Sequence, residues 1–134
     1  MSNLINLLDT YKGEKRELYP LTPSQMGVYL SCMHNPKGTM YNIPCTYVFD
    51  SGSLDTDRLI NAVRKAVDNH PIMKIFIDSS TGSPMMKLRD SVEFDIPVVQ
   101  VDDLEQAGKD FVKPFDLEKD ILFRFAVFEC GDKS

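Results

Sequence analysis

The feature that most constrains this chain is Thr22-Pro23-Ser24-Gln25, because it specifies where a helix begins. The Thr22 side chain can accept from one of the first free N–H groups, and Gln25 can reach back to the Thr22 N–H, which completes a capping box. Pro23 takes the first helical position, where no N–H is needed. The pattern predicts a helix that starts after Thr22 and stops near His34 to Gly38, where proline and glycine interrupt helical geometry.

Two further helices are predicted from apolar spacing. Leu54 to Asn69 has the clearest helical periodicity, with Asp55 as its cap and Pro71 as its stop, and Asp102 to Val112 is a shorter candidate. We expect the inward faces of the first two helices to carry these apolar residues: Met26, Tyr29, Leu30 and Met33; and Leu59, Ile60, Val63, Ala66 and Val67.

Strand signals lie between the helices. Two short apolar runs, Ile72 to Ile77 and Met85 to Leu88, flank a cluster of turn formers and predict a hairpin. The other predicted strands are Ile43 to Phe49, Phe94 to Val101 and Ile121 to Phe128. The last of these is apolar on both faces, which is typical of a strand in the middle of a covered sheet. Helices alternating with strands predict an α/β (α+β) sandwich in which helices pack on a mixed sheet.

The beginning of the chain differs from the rest. Leu4, Leu7, Leu8 and Tyr11 share one helical face, and a charged stretch follows them. We therefore expect residues 1–17 to form a short helix and a linker, and residues 18–134 to form one subdomain. This apolar patch has neither a basic leader nor the length of a membrane span, so we expect no membrane partner.

Composition narrows the classes of partner. The 134 residues are enough for one domain, and the net charge of -5 argues against binding to nucleic acid. Cys32, Cys45 and Cys130 are odd in number and widely spaced, which favours buried free thiols in a reducing cytoplasm over a disulfide framework or a zinc site. We expect no bound metal.

Four segments, in order, resemble the signatures of one enzyme family. They are Thr22 to Tyr29, in which Gln25 and Tyr29 match outright; Tyr41-Asn42-Ile43-Pro44; Asn69 to Phe76, which retains His70; and Pro114-Phe115-Asp116-Leu117. From Glu17 onward the chain resembles the N-terminal part of a nonribosomal peptide synthetase condensation domain. This resemblance implies half of a chloramphenicol acetyltransferase-like fold.

The resemblance also implies a chemistry. The full form of such a domain joins acyl or aminoacyl groups, each delivered on the phosphopantetheine arm of a carrier protein, through an amide bond. Its catalytic signature, His-His-x-x-x-Asp-Gly, is missing here, because His34 and His70 are the only histidines. We therefore expect an inactive fragment with no catalytic residue and no directly bound cofactor, whose partners are carrier proteins and the remainder of a synthetase.

Five residues carry the family's motif positions. Thr22, Gln25 and Tyr29 belong to the first signature, but helix capping accounts for Thr22 and Gln25, and core packing accounts for Tyr29 better than a ligand contact does. His70 and Lys74 belong to the second, and the resemblance implies that they support the missing catalytic loop. For His70, the position at a helix end favours a structural role, with the ring on a terminal carbonyl. Lys74 stands in the place of an arginine that pairs with the signature aspartate, or is an ordinary strand lysine in solvent.

Two other functions remain open on the sequence. One is a stand-alone module that docks a carrier protein or a synthetase subunit, and the other is a related CoA- or carrier-dependent acyltransferase. We also predict a homodimer or higher oligomer, because the strand Ile121 to Phe128 would be left with uncovered apolar faces.

Overall fold

The computed structural model describes residues 18–50 and 52–131, so the helix and linker predicted for residues 1–17 lie outside the described residues. The elements in chain order are these: β1 (Leu18–Pro20), α1 (Pro23–His34), α2 (Thr56–Asn69), a 3-10 turn (Pro71–Lys74), β2 (Ile75–Asp78), β3 (Met85–Leu88), β4 (Val98–Gln100), α3 (Leu104–Phe111) and β5 (Val127–Glu129).

The capping box that begins α1 is present as predicted. The Thr22 N–H donates to Gln25 Oε1 at 2.8 Å, and the Gln25 N–H donates to Thr22 Oγ1 at 3.3 Å. Tyr29 is the buried residue of this helix. Leu30 and Met33 were expected on the same inward face but are 58% and 48% exposed, so that part of the prediction is wrong. Periodicity identifies an apolar face, whereas burial requires a neighbouring element to cover it.

The other two helices also begin at aspartate caps. Asp55 accepts from the Arg58 N–H at 3.0 Å at the start of α2, as predicted. Asp103 accepts from the N–H groups of Glu105 and Gln106 at the start of α3. Within α2, Val67 is only 1% exposed, which makes it the most deeply buried large side chain of the described residues. Ala66, expected on the same inward face, is exposed.

An antiparallel sheet of three strands has the order β1-β3-β2. Its centre is the predicted hairpin, in which Ile75 lies opposite Leu88 and Asp78 opposite Met85. The strand is shorter than predicted, because Pro71 starts a 3-10 turn that occupies residues 71–74. β1, which was not predicted, pairs with the other side of β3 from Leu18 to Pro20.

A second, parallel pair consists of β4 and β5, and three residues of each strand are paired. The predicted strands over Phe94 to Val101 and Ile121 to Phe128 are therefore wrong over most of their lengths. Residues 94–97 and 121–126 are irregular, and their phenylalanines pack on each other instead: the Phe94 and Phe123 rings meet edge to face with centroids 5.0 Å apart. Nor is β5 a central strand, because its ladder is with β4 alone among the described residues.

The predicted strand from Ile43 to Phe49 is also wrong. These residues belong to no helix, turn or ladder, and all seven are exposed. A strand requires a partner for its N–H and C=O groups, and residues 43–48 make no backbone hydrogen bond to another described residue.

The fold class itself is confirmed: antiparallel and parallel strand pairs combine with helices in one α/β arrangement. The strands are divided between two small sheets. Four apolar residues form the buried core, one each from α1, α2, β2 and β5: Tyr29, Val67, Ile77 and Val127.

Candidate functional site

The two second-signature residues lie at the corner where α2 ends and the 3-10 turn begins. His70 Nδ1 is 2.6 Å from the carbonyl oxygen of Ala66. Because a carbonyl only accepts, Nδ1 carries the proton and donates it to one of the last carbonyls of the helix. The contact that the sequence suggested for this ring is therefore present, and it fixes the orientation of the imidazole.

Lys74 does not point freely into solvent. Its ammonium donates to the Asp68 carbonyl at 3.3 Å and approaches the Asp90 carbonyl at 3.5 Å, so it links the end of α2 to the chain that follows β3. The backbone strengthens this link, since the Arg89 N–H donates to the Lys74 carbonyl at 2.9 Å. None of the ion pairs between described side chains includes Lys74.

A cavity of about 310 Å³ borders this corner. Its lining is apolar apart from His70 and consists of Val63, Ala66, Val67, His70, Ile72, Met73 and Phe125. The lining contains neither a nucleophile nor a carboxylate, so the cavity can hold an apolar group but offers it no acid–base pair.

The first-signature residues face a different neighbour. Gln25 caps α1 and also places its side-chain nitrogen 3.6 Å from the sulfur of Met86 on β3. Thr22 is engaged in the capping box. No hydrogen bond within the described residues joins Thr22, Gln25 or Tyr29 to His70 or Lys74. Gln25 contacts β3 itself, whereas Lys74 bonds to the two residues that follow β3.

Tyr29 belongs to a hydrogen-bonded group around one carboxylate, that of Glu118, which the sequence analysis did not identify. We call Tyr29, Ser79 and Glu118 the carboxylate cluster. The Tyr29 hydroxyl donates to Glu118 Oε1 at 2.9 Å, and the Ser79 hydroxyl donates to the same oxygen at 2.7 Å. Burial, followed by the hydrogen bond to Glu118 and then by the Glu118 charge, raises the pKa of Tyr29 above its ordinary value of 10.0. Glu118 thereby connects α1 to the β2–β3 loop. Because it is separated from both partners by 39 or more residues of sequence, no local pattern could have predicted these contacts.

The loop that carries Glu118 is held from several sides. Arg124 donates to the carbonyls of Lys113 and Pro114 and places its guanidinium 3.8 Å from the centre of the Phe115 ring. The Lys119 ammonium donates to Asp116 at 2.9 Å, and this bond, together with the Glu118 N–H, lowers the pKa of Asp116. We call residues 113–120 the clamped loop.

Two further contacts attach the clamped loop to the hairpin. The Ile77 N–H donates to the Leu117 carbonyl at 3.1 Å, and Arg89 donates to the Lys119 carbonyl at 3.1 Å. A second cavity, of about 420 Å³, is lined by residues of both the hairpin and the clamped loop: Phe76, Ile77, Asp78, Ser79, Ser80, Glu118 and Lys119. This region is a structural junction whose polar groups already bond to one another.

Within residues 18–50 and 52–131, no group of three or more potential metal-ligating side chains comes together. No helix in that part of the chain is both long and apolar enough to cross a bilayer. The three cysteines are free thiols, but Cys45 is exposed, so the expectation that all three are buried is wrong.

Comparison with protein families and curated proteins gives a consistent result. The model of the family described as Condensation domain matches residues 15–134. Bacitracin synthase 3 of Bacillus licheniformis is 32% identical over 124 residues, which are 91% of this chain and 2% of that protein. Gramicidin S synthase 2 of Aneurinibacillus migulanus is 31% identical over 117 residues, 86% of this chain and 3% of its own length. The chain thus spans only a few per cent of these relatives.

Solved structures share the fold at low sequence identity. The starter condensation domain of rhizomide synthetase RzmA superposes with a TM-score of 0.73 at 18% identity, covering 88% of this chain and 30% of that one. The four-domain nonribosomal peptide synthetase AB3403, solved bound to AMP and glycine, superposes with a TM-score of 0.77 at 16% identity, covering 90% of this chain and 10% of its own.

Proposed function

Because this chain belongs to the condensation domain family, we propose that it forms the N-terminal part of a domain that joins carrier-bound acyl or aminoacyl groups through an amide bond. The family match and the synthetase relatives support this reaction class. The chain covers 30% of a solved starter condensation domain, so most of such a domain is supplied by other residues. The proposed substrates are thioesters on the phosphopantetheine arms of carrier proteins, and the proposed setting is a multidomain synthetase in the cytoplasm.

The contribution of this chain, in our proposal, is to hold the loop that carries the catalytic signature. The observation behind it is the position of Lys74, whose ammonium is held between the Asp68 and Asp90 carbonyls. An ammonium has three N–H donors, so one remains for a carboxylate. The catalytic signature His-His-x-x-x-Asp-Gly contains such a carboxylate, that of its aspartate. A lysine can form this ion pair, but without the two-pronged geometry of the arginine that it replaces.

His70 has a supporting role in this proposal. Its Nδ1 proton is committed to the Ala66 carbonyl, and no nucleophile lies in the cavity that it borders. The ring keeps the end of α2 and the 3-10 turn in one orientation, which in turn positions Lys74. The 134-residue chain alone is therefore expected to lack condensation activity, because neither of its two histidines belongs to a His-His pair.

The coding sequence after the Ser134 codon provides the first test. An in-frame His-His-x-x-x-Asp-Gly is expected, whereas a stop codon there would favour a stand-alone docking module. The protein so encoded should form a carrier-bound amide from two loaded carrier proteins, detected by mass spectrometry. The isolated 134-residue chain should give no product above the control without enzyme, and a product from it would contradict the proposal.

Variants of the encoded protein then test Lys74. Lys74→Met should lower the rate by about 10- to 100-fold, because a displaced catalytic loop loses its reactive geometry. Lys74→Arg should keep most of the activity, since it preserves the ion pair. Lys87→Met is the matched control, because Lys87 is a β3 lysine that pairs with Asp78 at 3.8 Å. Equal rates for Lys74→Met and Lys87→Met would refute the role of Lys74.

A further inference from the structure

β2 (Ile75–Asp78) is held at both ends. Lys74 comes directly before it and Ser79 directly after it. Along its length, all four residues pair with β3 on one side, and the Ile77 N–H donates to the Leu117 carbonyl on the other. A short strand that is hydrogen-bonded on both sides shifts as one rigid piece. The position of Lys74 therefore depends on what holds the far end of β2.

The carboxylate cluster holds that far end. The Ser79 hydroxyl and the Tyr29 hydroxyl both donate to Glu118 Oε1, at 2.7 and 2.9 Å. Hydrogen bonds to a carboxylate are shorter and stronger than those between neutral groups. Glu118 is half-buried and Tyr29 is 8% exposed, so the loss of either bond would leave a polar group poorly hydrated. The cluster thus fixes the end of β2 against both α1 and the clamped loop.

Arg89 provides a second connection from the clamped loop to Lys74. Its guanidinium donates at 3.1 Å to the carbonyl of Lys119, the residue after Glu118, and lies 4.5 Å from the centre of the Phe76 ring on β2. Its backbone N–H donates to the Lys74 carbonyl at 2.9 Å. The clamped loop therefore reaches Lys74 by two routes, one through β2 and one through Arg89.

The contacts of the Lys74 ammonium place it only loosely. Its two hydrogen bonds, to the Asp68 and Asp90 carbonyls, are long, at 3.3 and 3.5 Å. The backbone of Lys74, by contrast, is fixed by the strand that follows it and by the Arg89 N–H. The backbone therefore decides where the ammonium lies.

We propose, on the basis of the role proposed for Lys74, that Glu118 is a positioning residue for the condensation reaction. It acts through Ser79, β2 and the clamped loop on the placement of the Lys74 ammonium, and hence on the ion pair with the signature aspartate. Both donors to Glu118 are neutral hydroxyls, so an amide oxygen at the same place would accept the same two hydrogen bonds. The role thus depends on an acceptor at this position and not on its charge.

The kinetics of the protein encoded by the complete coding sequence test this role. Glu118→Ala should lower kcat by about 10-fold and leave the KM for loaded carrier proteins within about 2-fold, because the catalytic loop is displaced while carrier binding is untouched. Glu118→Gln should keep most of the activity. Glu105→Ala is the matched control, because the Glu105 carboxylate bonds to Lys109 within α3 at 2.6 Å. A Glu118→Ala kcat equal to that of Glu105→Ala, or no rescue by Glu118→Gln, would overturn the proposal.

A double variant tests whether Glu118 acts through Lys74. Once Lys74→Met has removed the ammonium, Glu118→Ala has nothing left to misplace, so the double variant should be as active as Lys74→Met alone, within about 2-fold. A general loss of structural integrity would instead multiply the two losses. Multiplied losses would therefore refute the proposed route.

Amide hydrogen exchange of the encoded protein tests the placement without using activity. Glu118→Ala should speed exchange about 10-fold at the Ile77 N–H and at the Arg89 N–H, which reports on the Lys74 end of β2. The Ala107 N–H, which donates to the Asp103 carbonyl in α3, should be unaffected. Should Glu118→Ala fail to fold, Ser79→Ala removes only one of the two bonds and should show the same pattern. Unchanged exchange at Arg89 would refute the positioning of Lys74, whereas a wild type that forms no amide would refute the proposed function alone.

Discussion

β2 (Ile75–Asp78) and residues 43–49, the open segment, are both rich in aromatic and β-branched residues, but only β2 has a hydrogen-bonded neighbour on each side. β3 pairs with all four of its residues, and the clamped loop accepts from its Ile77 N–H at 3.1 Å. The open segment follows an anchor, the Asn42 side chain on the Lys113 carbonyl, but its residues 43–48 make no backbone hydrogen bond to another described residue. The comparison shows that strand propensity indicates only that a segment is able to form a strand. Whether it does so, and is buried, depends on whether the fold places another segment beside it.

The largest difference between the two regions should appear on truncation of an isoleucine. Ile77→Ala removes a side chain that is 7% exposed and should lower the free energy of unfolding by about 3 kcal/mol. Ile43→Ala, at 89% exposure, should change it by less than about 0.5 kcal/mol. Urea denaturation well below micromolar chain concentration compares the monomers. Similar losses at the two positions would show that the open segment is covered.

A pair of tyrosines sharpens the same comparison. Tyr29→Phe removes the hydroxyl that donates to Glu118 and should destabilise the chain by about 1.5 kcal/mol, as expected for a hydrogen bond to a charged group. Tyr47→Phe, at a residue that is 79% exposed, should have almost no effect on the monomer. A Tyr29→Phe midpoint equal to that of the wild type would mean that the carboxylate cluster adds no stability.

The Tyr29 pKa adds a dependence on pH to this second prediction. The pKa is raised in the folded state, mainly by burial, so the unfolded chain loses this proton first as the pH rises. The associated stability is complete below pH 10.0, the ordinary value, and is lost as the pH climbs through the higher folded pKa. The stability of the wild type should therefore fall more steeply above pH 10.0 than that of Tyr29→Phe.

The smallest expected effect concerns two threonines. Thr22→Ala breaks the α1 capping box and should cost about 1 kcal/mol. Thr46→Ala, in the open segment, removes no hydrogen bond to a described residue and should be nearly neutral in the monomer. The melting temperatures of both variants test this prediction. A Thr22→Ala melting temperature equal to that of the wild type would show that the cap does not contribute to the stability of the fold.

The sequence by itself determined the local features of this protein. Helix starts at Thr22 and Asp55 depend on contacts within three residues, and the hairpin depends on a short loop, so residue identity was enough to predict them. The resemblance to the condensation domain family was drawn from four motifs in order along the chain, and it is confirmed by the family model, which matches residues 15–134.

Only the tertiary structure decided which apolar stretches became strands and which polar groups met. The open segment and residues 121–126 have strand-like composition, yet neither forms a ladder, because pairing requires backbone from distant parts of the chain. Glu118 bonds to Tyr29 across 89 residues of separation, a contact with no local signature. Capping is an interaction between near neighbours along the chain, whereas pairing and burial depend on which distant segments the fold brings together.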